Sequence, residues 1–465
     1  MKFEKIKLYV LLLLIFSILP LELLAINLEK AQLTAIKQNK KFLAEQQNHE
    51  QSKWNKYKAV SNFLPKLSFN ETMVRIDDDT YNEAQKTFSL PVFNSSDNPT
   101  GDYVPMSYSA LGTAAYRTTY TSELILQQPI FNGGKLIMGY QIAGYANKQA
   151  RYSLLSKKQE LQYNVSEIYF NILKIQDLIQ IHEKQIESSE SQLNKVKKKL
   201  ELGMAKNTDV LQWKVKLSNN RINLEQAKNN LEILKSYWRN ILGLQDGTEL
   251  PLPEKIQLKQ FEREIKNNTL LTTKEKENKL NKFLTDIKRQ NADLRRLKYA
   301  QKISKKRYEL SKSNLLPSLN LQYTRQFEQD NKLNLKGDDN WNIAAVFSIP
   351  LFESGRNITN IMQSRSAYKS TKLEISDTEE KIVISAKNAF LNLITKAKRV
   401  ENIKFSKKNA EENYTMINDY YNQGLVTNQE LIDAEIMLFS VKMQYTNSYY
   451  NYIIAKHNIK KYLTE

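Results

Sequence analysis

The residues capable of catalysis or metal binding are few in this chain and are poorly spaced for either. Its 465 residues include no cysteine and only three histidines, His49, His182 and His457. Thiolate zinc sites, iron–sulfur clusters and cysteine nucleophiles are therefore excluded. His182 and Glu183 begin like the helix of a zinc protease, but the second histidine of that motif is missing. His182 instead fits a structural position in a helix seam.

Other catalytic motifs are also missing from the sequence. No serine lies in a nucleophile elbow, and no glycine-rich loop could hold a phosphate. The acidic run Asp77, Asp78 and Asp79 could bind a hard cation weakly, although a solvated loop explains it better. We therefore predict that the chain is not an enzyme and that it uses no cofactor and no metal.

The composition favours long helices. Only 12 glycines and 10 prolines are present, and this glycine content is well below the usual level of about 7%. A Rossmann or P-loop fold is correspondingly disfavoured. The net charge is +19, but the lysines are scattered along predicted helix faces with acidic residues among them. We expect a solvated surface with some attraction to anionic lipid headgroups, and no nucleic-acid partner.

Residues 1–25 have the pattern of an export signal. Lys2, Lys5 and Lys7 precede a predominantly apolar run of twelve residues at 8–19, and Ala25 ends an acceptable cleavage site. Twelve residues are too few to cross a bilayer core of about 30 Å. No later segment approaches the length of a transmembrane helix, so any membrane-spanning part of the mature chain is expected to be built from β-strands.

An internal repeat organises the chain. Residues 128–135 (QPIFNGGK) are answered by residues 349–356 (IPLFESGR), at an offset of 221. The same offset relates the apolar positions that follow, and it maps Gly203 to Gly424 and Asp209 to Glu430. We predict a first repeat at 26–243, a linker at 244–279 and a second repeat at 280–465. The first repeat contains an insertion at 77–111 that we interpret as a long exposed loop.

The helical parts of each repeat have a narrow apolar seam. From Leu161 to Leu200 apolar residues recur at alternating steps of four and three, which is a spacing of 3.5 and is typical of a coiled coil. One helix is predicted from about residue 134 to 202, with a length of about 100 Å. A filamentous coiled coil would have the same periodicity, so the seam alone does not decide the architecture.

Four short segments alternate between apolar and polar residues. In the second repeat one face is expected to carry Leu319, Leu321, Tyr323, Trp341, Ile343 and Phe347, while their neighbours are mostly polar. The first repeat shows weaker alternation at 65–76 and 115–128, and Pro129 and Pro350 are expected to end strands. Alternation over about ten residues indicates a strand between lipid and water. A hairpin packed on a soluble core would show the same pattern.

Four strands cannot close a barrel, since single-chain outer-membrane barrels need at least about eight. Open strand edges in lipid would leave backbone groups without hydrogen bonds. The strand pattern therefore predicts an oligomer.

The whole set of motifs resembles the TolC-type outer-membrane efflux proteins. The resemblance rests on Leu-Pro before strands at 64–65 and 316–317, on the two segments at 129–135 and 350–356, and on the turns at Gly203 and Gly424. It covers residues 26 to 463. It implies an α+β membrane protein, in which a coiled-coil barrel of long helices continues into a transmembrane β-barrel of twelve strands from three chains.

The resemblance also implies a function, location and partners. The homotrimer would be a passive exit duct in the outer membrane that extends into the periplasm. It would serve a tripartite efflux or type I secretion system, through a periplasmic adaptor and an inner-membrane pump. A secreted coiled-coil adhesin or structural rod is the alternative.

The resemblance places docking residues at the two helix turns. The adaptor would dock at Gly203, Met204, Gly424 and Leu425. The sequence itself suggests that both glycines adopt the left-handed conformation that ends a helix. Asn207 or Thr208, and Asn428, are the expected caps of the helices that follow.

The resemblance places a gate beside these turns. Thr208, Asp209 and Tyr421 match positions that hold a closed entrance, and Glu430 and Asp433 match acidic residues that line it. Relatives often carry arginine where this chain has Val426, so we expect a less strongly tied closed state. Alternatively, Glu430 and Asp433 are solvated residues at the start of a helix, where negative charge is favourable.

Overall fold

The computed structural model describes residues 25–108, 116–330 and 339–463. Apart from Ala25, the predicted signal peptide lies outside these ranges. The chain forms two compact units. Of the described residues, the first unit contains 25–51, Lys148–Tyr299 and 373–463, and the second contains those between Ser52 and Asn147 and between Ala300 and Lys372.

The described residues form ten α-helices, of which one lies in the predicted loop at 77–111 and two begin in the predicted linker at 244–279. They are α1 Leu28–Gln38, α2 Lys40–Ser61, α3 Asp78–Ala84, α4 Lys135–Glu201, α5 Asn207–Leu242, α6 Glu262–Thr269, α7 Thr273–Gln290, α8 Ala292–Lys312, α9 Arg356–Asn422 and α10 Asn428–Lys460. Both α4 and α9 contain 67 residues, and their first residues differ by the repeat offset of 221. None of the described helices combines the length and apolar composition needed to cross a bilayer.

The core of the first unit lies between helices of both repeats. Fully buried side chains include Val165 and Ile172 on α4, Trp238 on α5, and Tyr452 and Ile453 on α10. The aromatic residues among them keep their polar groups bonded. The indole of Trp238 donates to the Pro251 carbonyl at 2.8 Å. The hydroxyl of Tyr452 donates to Glu264 at 3.1 Å. Leu393, Ala397 and Val400 of α9 belong to the same cluster, so the core joins both long helices.

Gly243 closes α5 against the start of the chain. Its φ of +73° is left-handed, and a Cβ at this position would lie 2.3 Å from the Gln38 carbonyl oxygen. The side-chain amide of Asn39 donates to the Ile241 carbonyl at 3.0 Å across the same contact. Only glycine meets both the conformational and the steric requirement here.

The second unit contains a four-stranded antiparallel sheet. Its strands are β1 Lys66–Arg75, β4 Thr118–Asn132, β5 Ser318–Asp330 and β6 Asp339–Ser348, in the spatial order β1-β4-β5-β6. The prediction that Pro129 ends its strand is wrong, because β4 continues to Asn132. The pairing with β5 shifts between Pro129 and Phe131, and this irregularity accommodates a residue that has no backbone N–H.

The insertion predicted as a loop has secondary structure of its own. It contains α3 and a hairpin of β2 Thr87–Phe93 and β3 Pro99–Ser107. Asp77 caps α3 by accepting a hydrogen bond from the Thr80 N–H at 3.0 Å. This explains part of the acidic run without a cation. Most residues of the hairpin are exposed, as predicted, while residues 109–111 of the insertion lie outside the described ranges.

Candidate functional site

Two helix hairpins of the first unit end in matching turns. Gly203 and Gly424 have φ of +70° and +78°, which is the predicted left-handed conformation. The residue after each glycine caps the end of the preceding helix. The Met204 N–H donates to the Lys199 carbonyl at 2.7 Å, and the Leu425 N–H donates to the Tyr420 carbonyl at 2.9 Å. A Cβ on either glycine would meet nothing within 4 Å, so the backbone conformation, not crowding, favours glycine.

The caps of α5 and α10 lie just before the predicted residues. Thr427, not Asn428, caps α10 in a capping box, where the Glu430 carboxylate accepts from the Thr427 N–H at 2.7 Å. The Asp209 carboxylate accepts from the Lys206 N–H at 3.0 Å at the start of α5. An acid at the third helical position reaches back to the residue before the helix. The caps are therefore Lys206 and Thr427, whereas the sequence analysis expected Asn207 or Thr208, and Asn428.

The two acidic residues proposed for the entrance lie on the first turns of α10. Glu430 and Asp433 are exposed and three residues apart, so they share one helix face. Hydrogen bonds from Thr427 hold the pKa of Glu430 below its usual range. Asp433 accepts a hydrogen bond from the Gln429 amide at 2.9 Å. The helix start explains Glu430, but it does not require a carboxylate at Asp433.

Tyr421 is buried in an apolar cluster between the hairpins. Its neighbours come from α4, α5 and α10 and include Leu193, Val196, Val210, Trp213 and Leu431. The Lys199 ammonium lies 4.0 Å from the Tyr421 ring centroid and donates to the Tyr421 carbonyl at 3.0 Å. Burial raises the pKa of Tyr421, and the nearby Asp209 carboxylate adds to this effect.

Thr208 and Val426 occupy different surroundings. Thr208 lines a groove of about 750 Å³ between α5 and α10, whose apolar wall includes Leu211, Val215 and Ile432. Val426 is partly buried against the apolar cluster around Tyr421. Of the predicted gate residues, Asp209 thus lies near enough to Tyr421 to raise its pKa, while Thr208 lines a groove and Val426 packs against the cluster.

Sequence reasoning missed a buried ion pair between α5 and α10. The Lys216 ammonium contacts the Glu435 carboxylate, with side-chain exposures of 8% and 0%. Lys216 also donates to the Ile432 carbonyl at 3.3 Å, and its ammonium lies 4.8 Å from the Trp213 ring centroid. Burial lowers the pKa of Lys216, and the Glu435 charge opposes this effect.

A second polar link lies beside this pair. The Trp213 indole donates to the Asn428 side-chain oxygen at 2.7 Å, and the Asn428 amide donates to Gln212 at 2.8 Å. A signal for the buried charge was present in the sequence, because Glu435 lies four residues after Leu431 and three before Leu438. These are seam positions, so a carboxylate there must find a partner on the neighbouring helix.

The sheet of the second unit has one apolar face. The pairing places Leu319 opposite Phe347, Tyr323 opposite Ile343 and Leu321 opposite Ala345. Trp341 lies opposite Arg325 on the same face. The six residues predicted to face lipid therefore share one side of the sheet, which continues across β4 and β1 through Leu124, Leu126, Leu67 and Phe69. The other side carries Asn320, Gln322, Thr324 and Asn342.

The sheet is open at both edges. Within the described residues, β1 pairs only with β4 and β6 pairs only with β5. The apolar residues of both edge strands are exposed, among them Phe69, Trp341 and Ile343. A single copy therefore presents an apolar face and two rows of backbone groups that have no strand partner.

The chain is similar to outer-membrane proteins in sequence. A sequence model of the family described as outer membrane efflux protein matches residues 33–243 and 284–465. The outer membrane protein TolC of Escherichia coli K12 is 21% identical over 358 residues, which are 74% of this chain and 69% of TolC. The alkaline protease secretion protein AprF of Pseudomonas aeruginosa is 20% identical over 355 residues, with coverage of 74% and 69%.

Solved structures show the same fold. The Campylobacter jejuni CmeC outer membrane channel matches with a TM-score of 0.74 and 17% identity, over 94% of this chain and 85% of that one. CusC matches with a TM-score of 0.75 and 13% identity, over 95% and 94%. Neither the sequence matches nor these structures support the alternative of a secreted adhesin or rod. The chain belongs to the outer membrane efflux protein family: it is an outer-membrane exit duct that serves efflux or secretion.

Proposed function

We propose that three copies of the chain form one continuous passive duct, in which their sheets close a barrel of twelve strands. The open, one-sided sheet is the observation that carries this proposal. Each unsatisfied backbone group in lipid would cost several kcal/mol. Pairing β1 of one copy with β6 of the next removes every open edge, and it directs the apolar face outwards and the polar face to the lumen.

The height of the apolar face suits an outer membrane. It extends from the level of Leu319 and Phe347 to the level of Arg325 and Trp341. Six residues separate these levels, which is about 20 Å at 3.3 Å per residue. Outer-membrane barrels carry an apolar band of about 25 Å with aromatic residues at its borders. Trp341, whose ring centroid lies 6.4 Å from that of Tyr323, fits such a border.

The helix turns are proposed to meet a periplasmic adaptor. Met204 and Leu425 are 72% and 68% exposed, although both are apolar and lie at the ends of hairpins. Gly203 and Gly424 leave the space beside these residues open. A small apolar turn of this kind suits docking between helices of a partner. Through the adaptor an inner-membrane pump would supply energy and choose the substrate, since the duct itself contributes only a path.

The entrance is proposed to be gated beside these turns. Thr208, Asp209 and Tyr421 would hold the hairpins together, and Glu430 and Asp433 would line the opening. Three copies would place six carboxylates around one constriction, which favours cations. The lowered pKa of Glu430 means that it stays charged to a lower pH than an ordinary glutamate. The cation preference should therefore persist in mildly acidic solution and decline only as the pH falls through that pKa.

Neutralising the entrance tests this role. We expect the double variant Glu430→Gln with Asp433→Asn to reduce the cation preference of the channel several-fold in planar bilayers. Glutamine retains the capping box with Thr427, so the fold should not change. Reversal potentials in a salt gradient measure the effect.

The matched control neutralises a carboxylate elsewhere. Asp377→Asn removes an exposed charge that pairs with Lys381 on α9, and it should leave ion selectivity unchanged. If the entrance variant conducts with the selectivity of the natural protein, Glu430 and Asp433 do not line the pore.

A further inference from the structure

The positive charge of the chain is concentrated in the helical parts of the second unit. Residues 52–61, 135–147, 300–312 and 356–372 carry thirteen lysines and arginines and one acidic residue, Glu309. Their net charge of +12 is most of the +19 of the whole chain. By contrast, residues 71–123, around the other ends of β1 and β4, carry eight acidic and three basic residues. The net charge is therefore positive beyond the end of the sheet that joins the helices and negative around the other ends of β1 and β4.

Each of the four helices places a cation next to the sheet. Lys135 and Arg356 are the first residues of α4 and α9, Lys312 is the last residue of α8, and Lys58 lies in the last turn of α2. All four side chains are exposed. Connectors of two to seven residues join these helix ends to the strands. The four cations therefore lie beyond the strand ends, on the side of the sheet where the long helices begin.

Apolar and aromatic side chains lie at the same junctions. Leu351 and Phe352, between β6 and α9, are 91% and 85% exposed. On α2, Trp54 and Tyr57 are exposed with their ring centroids 5.7 Å apart. Tryptophan and tyrosine are enriched where hydrocarbon meets headgroups. After β6 the order along the chain is thus the apolar face, then Leu351 and Phe352, then Arg356. Before β1, the exposed Phe63 and Leu64 lie between the strand and Lys58, and Trp54 and Tyr57 lie farther from the strand than Lys58.

We propose that these cations form a basic collar, defined by Lys58, Lys135, Lys312 and Arg356, that binds anionic phospholipid headgroups of the periplasmic leaflet of the outer membrane. The inference rests on the proposed insertion of the sheet into that membrane. Charge complementarity and continuity with the apolar face both favour a lipid partner. Phosphodiester oxygens would accept hydrogen bonds from the lysines and from the Arg356 guanidinium, which also contacts Glu353 at 2.7 Å.

The test compares lipid selection by two variants of equal charge. The collar variant replaces Lys58, Lys135, Lys312 and Arg356 by glutamine. The control replaces Lys195, Lys197, Lys198 and Lys228, four exposed lysines of the first unit, by glutamine. Each protein is reconstituted with equal amounts of phosphatidylglycerol and phosphatidylcholine, and the lipids that remain bound on mild detergent extraction are counted by native mass spectrometry.

The natural protein and the control should retain at least about five times as much phosphatidylglycerol as phosphatidylcholine. A fivefold ratio is the effect expected of one interfacial cation. The collar variant should lose most of that preference, and 0.5 M salt should weaken it in the natural protein. An unchanged preference in the collar variant overturns the proposal. The absence of this preference in the natural protein also overturns it. A collar variant that selects lipid normally but has an altered anion selectivity of the pore overturns it as well, because that result would place the collar in the lumen.

Channel conductance is recorded from the same preparations. If the natural protein conducts but does not select phosphatidylglycerol, the collar is wrong and the duct stands. If it neither inserts nor conducts, the proposed function itself fails.

Discussion

Replacing Lys216 by methionine should weaken the link between α5 and α10 by about 3–5 kcal/mol, because Glu435 would remain as a buried charge without its partner. Glu435 is fully buried and Lys216 nearly so, so water cannot replace the missing ammonium without opening the helices. Hydrogen exchange of the amides in the first turns of α5 and α10 measures this opening. A change of this size should speed exchange by about a hundredfold or more.

Two further variants separate the ion pair from simple packing. Adding Glu435→Leu to Lys216→Met removes both charges, and it should restore slow exchange, since an apolar pair of similar size can replace a buried ion pair. Lys408→Met removes one partner of an exposed pair with Glu412 and should change stability by less than about 1 kcal/mol. Equal exchange in the single and double variants would contradict the assigned role of the pair.

Introducing a charge on the apolar face of the sheet should prevent assembly in the membrane. Leu321 lies in the middle levels of that face, opposite Gln128 and Ala345. Leu321→Lys should cost about 2–4 kcal/mol per copy, the usual cost of a lysine at the bilayer midplane. A trimer carries this cost three times. The measurement is the amount of assembled, heat-modifiable protein in the outer-membrane fraction.

The neighbouring residue provides the matched control. Gln322 lies one position along β5, so its side chain is on the opposite, polar face of the sheet. Gln322→Lys should leave the assembled fraction close to that of the natural protein, because its lysine would face water in the lumen. If both variants lose the assembled protein equally, or if neither variant loses it, the apolar face does not contact lipid.

The long helices and the strands of the second repeat could be predicted from the sequence because their patterns are local. A seam with a spacing of 3.5 residues predicted a helix from about 134 to 202, and α4 is Lys135–Glu201. Clean alternation around Leu319 and Trp341 predicted which side chains share a face. The first repeat was less clear because Glu71 lies on the apolar face, where its carboxylate accepts from Ser122 at 2.5 Å.

Features that depend on a distant partner could not be predicted. The Lys216–Glu435 pair joins residues more than two hundred positions apart, so the burial of either residue depends on how α5 meets α10. Pro129 was assigned to a strand end because it lacks an N–H, yet a shift in pairing with β5 accommodates it. The cap of α5 was misplaced because the acid at the third helical position, not the side chain of the cap itself, supplies the bond at Lys206. The cap of α10 was misplaced by one residue, although Thr427 is itself a favourable capping residue.

Disulfide cross-linking tests directly whether neighbouring copies share their sheet edges. The chain has no native cysteine, so an engineered pair reports without background. Asn70→Cys on β1 is combined in turn with Asn340→Cys, Asn342→Cys and Ala344→Cys on β6, all on the polar face. Within one copy β4 and β5 separate these strands, which places them about 14 Å apart, too far for a disulfide. Covalent dimers and trimers in at least one combination are predicted from oxidised outer membranes, whereas monomer alone in every combination would contradict the shared barrel.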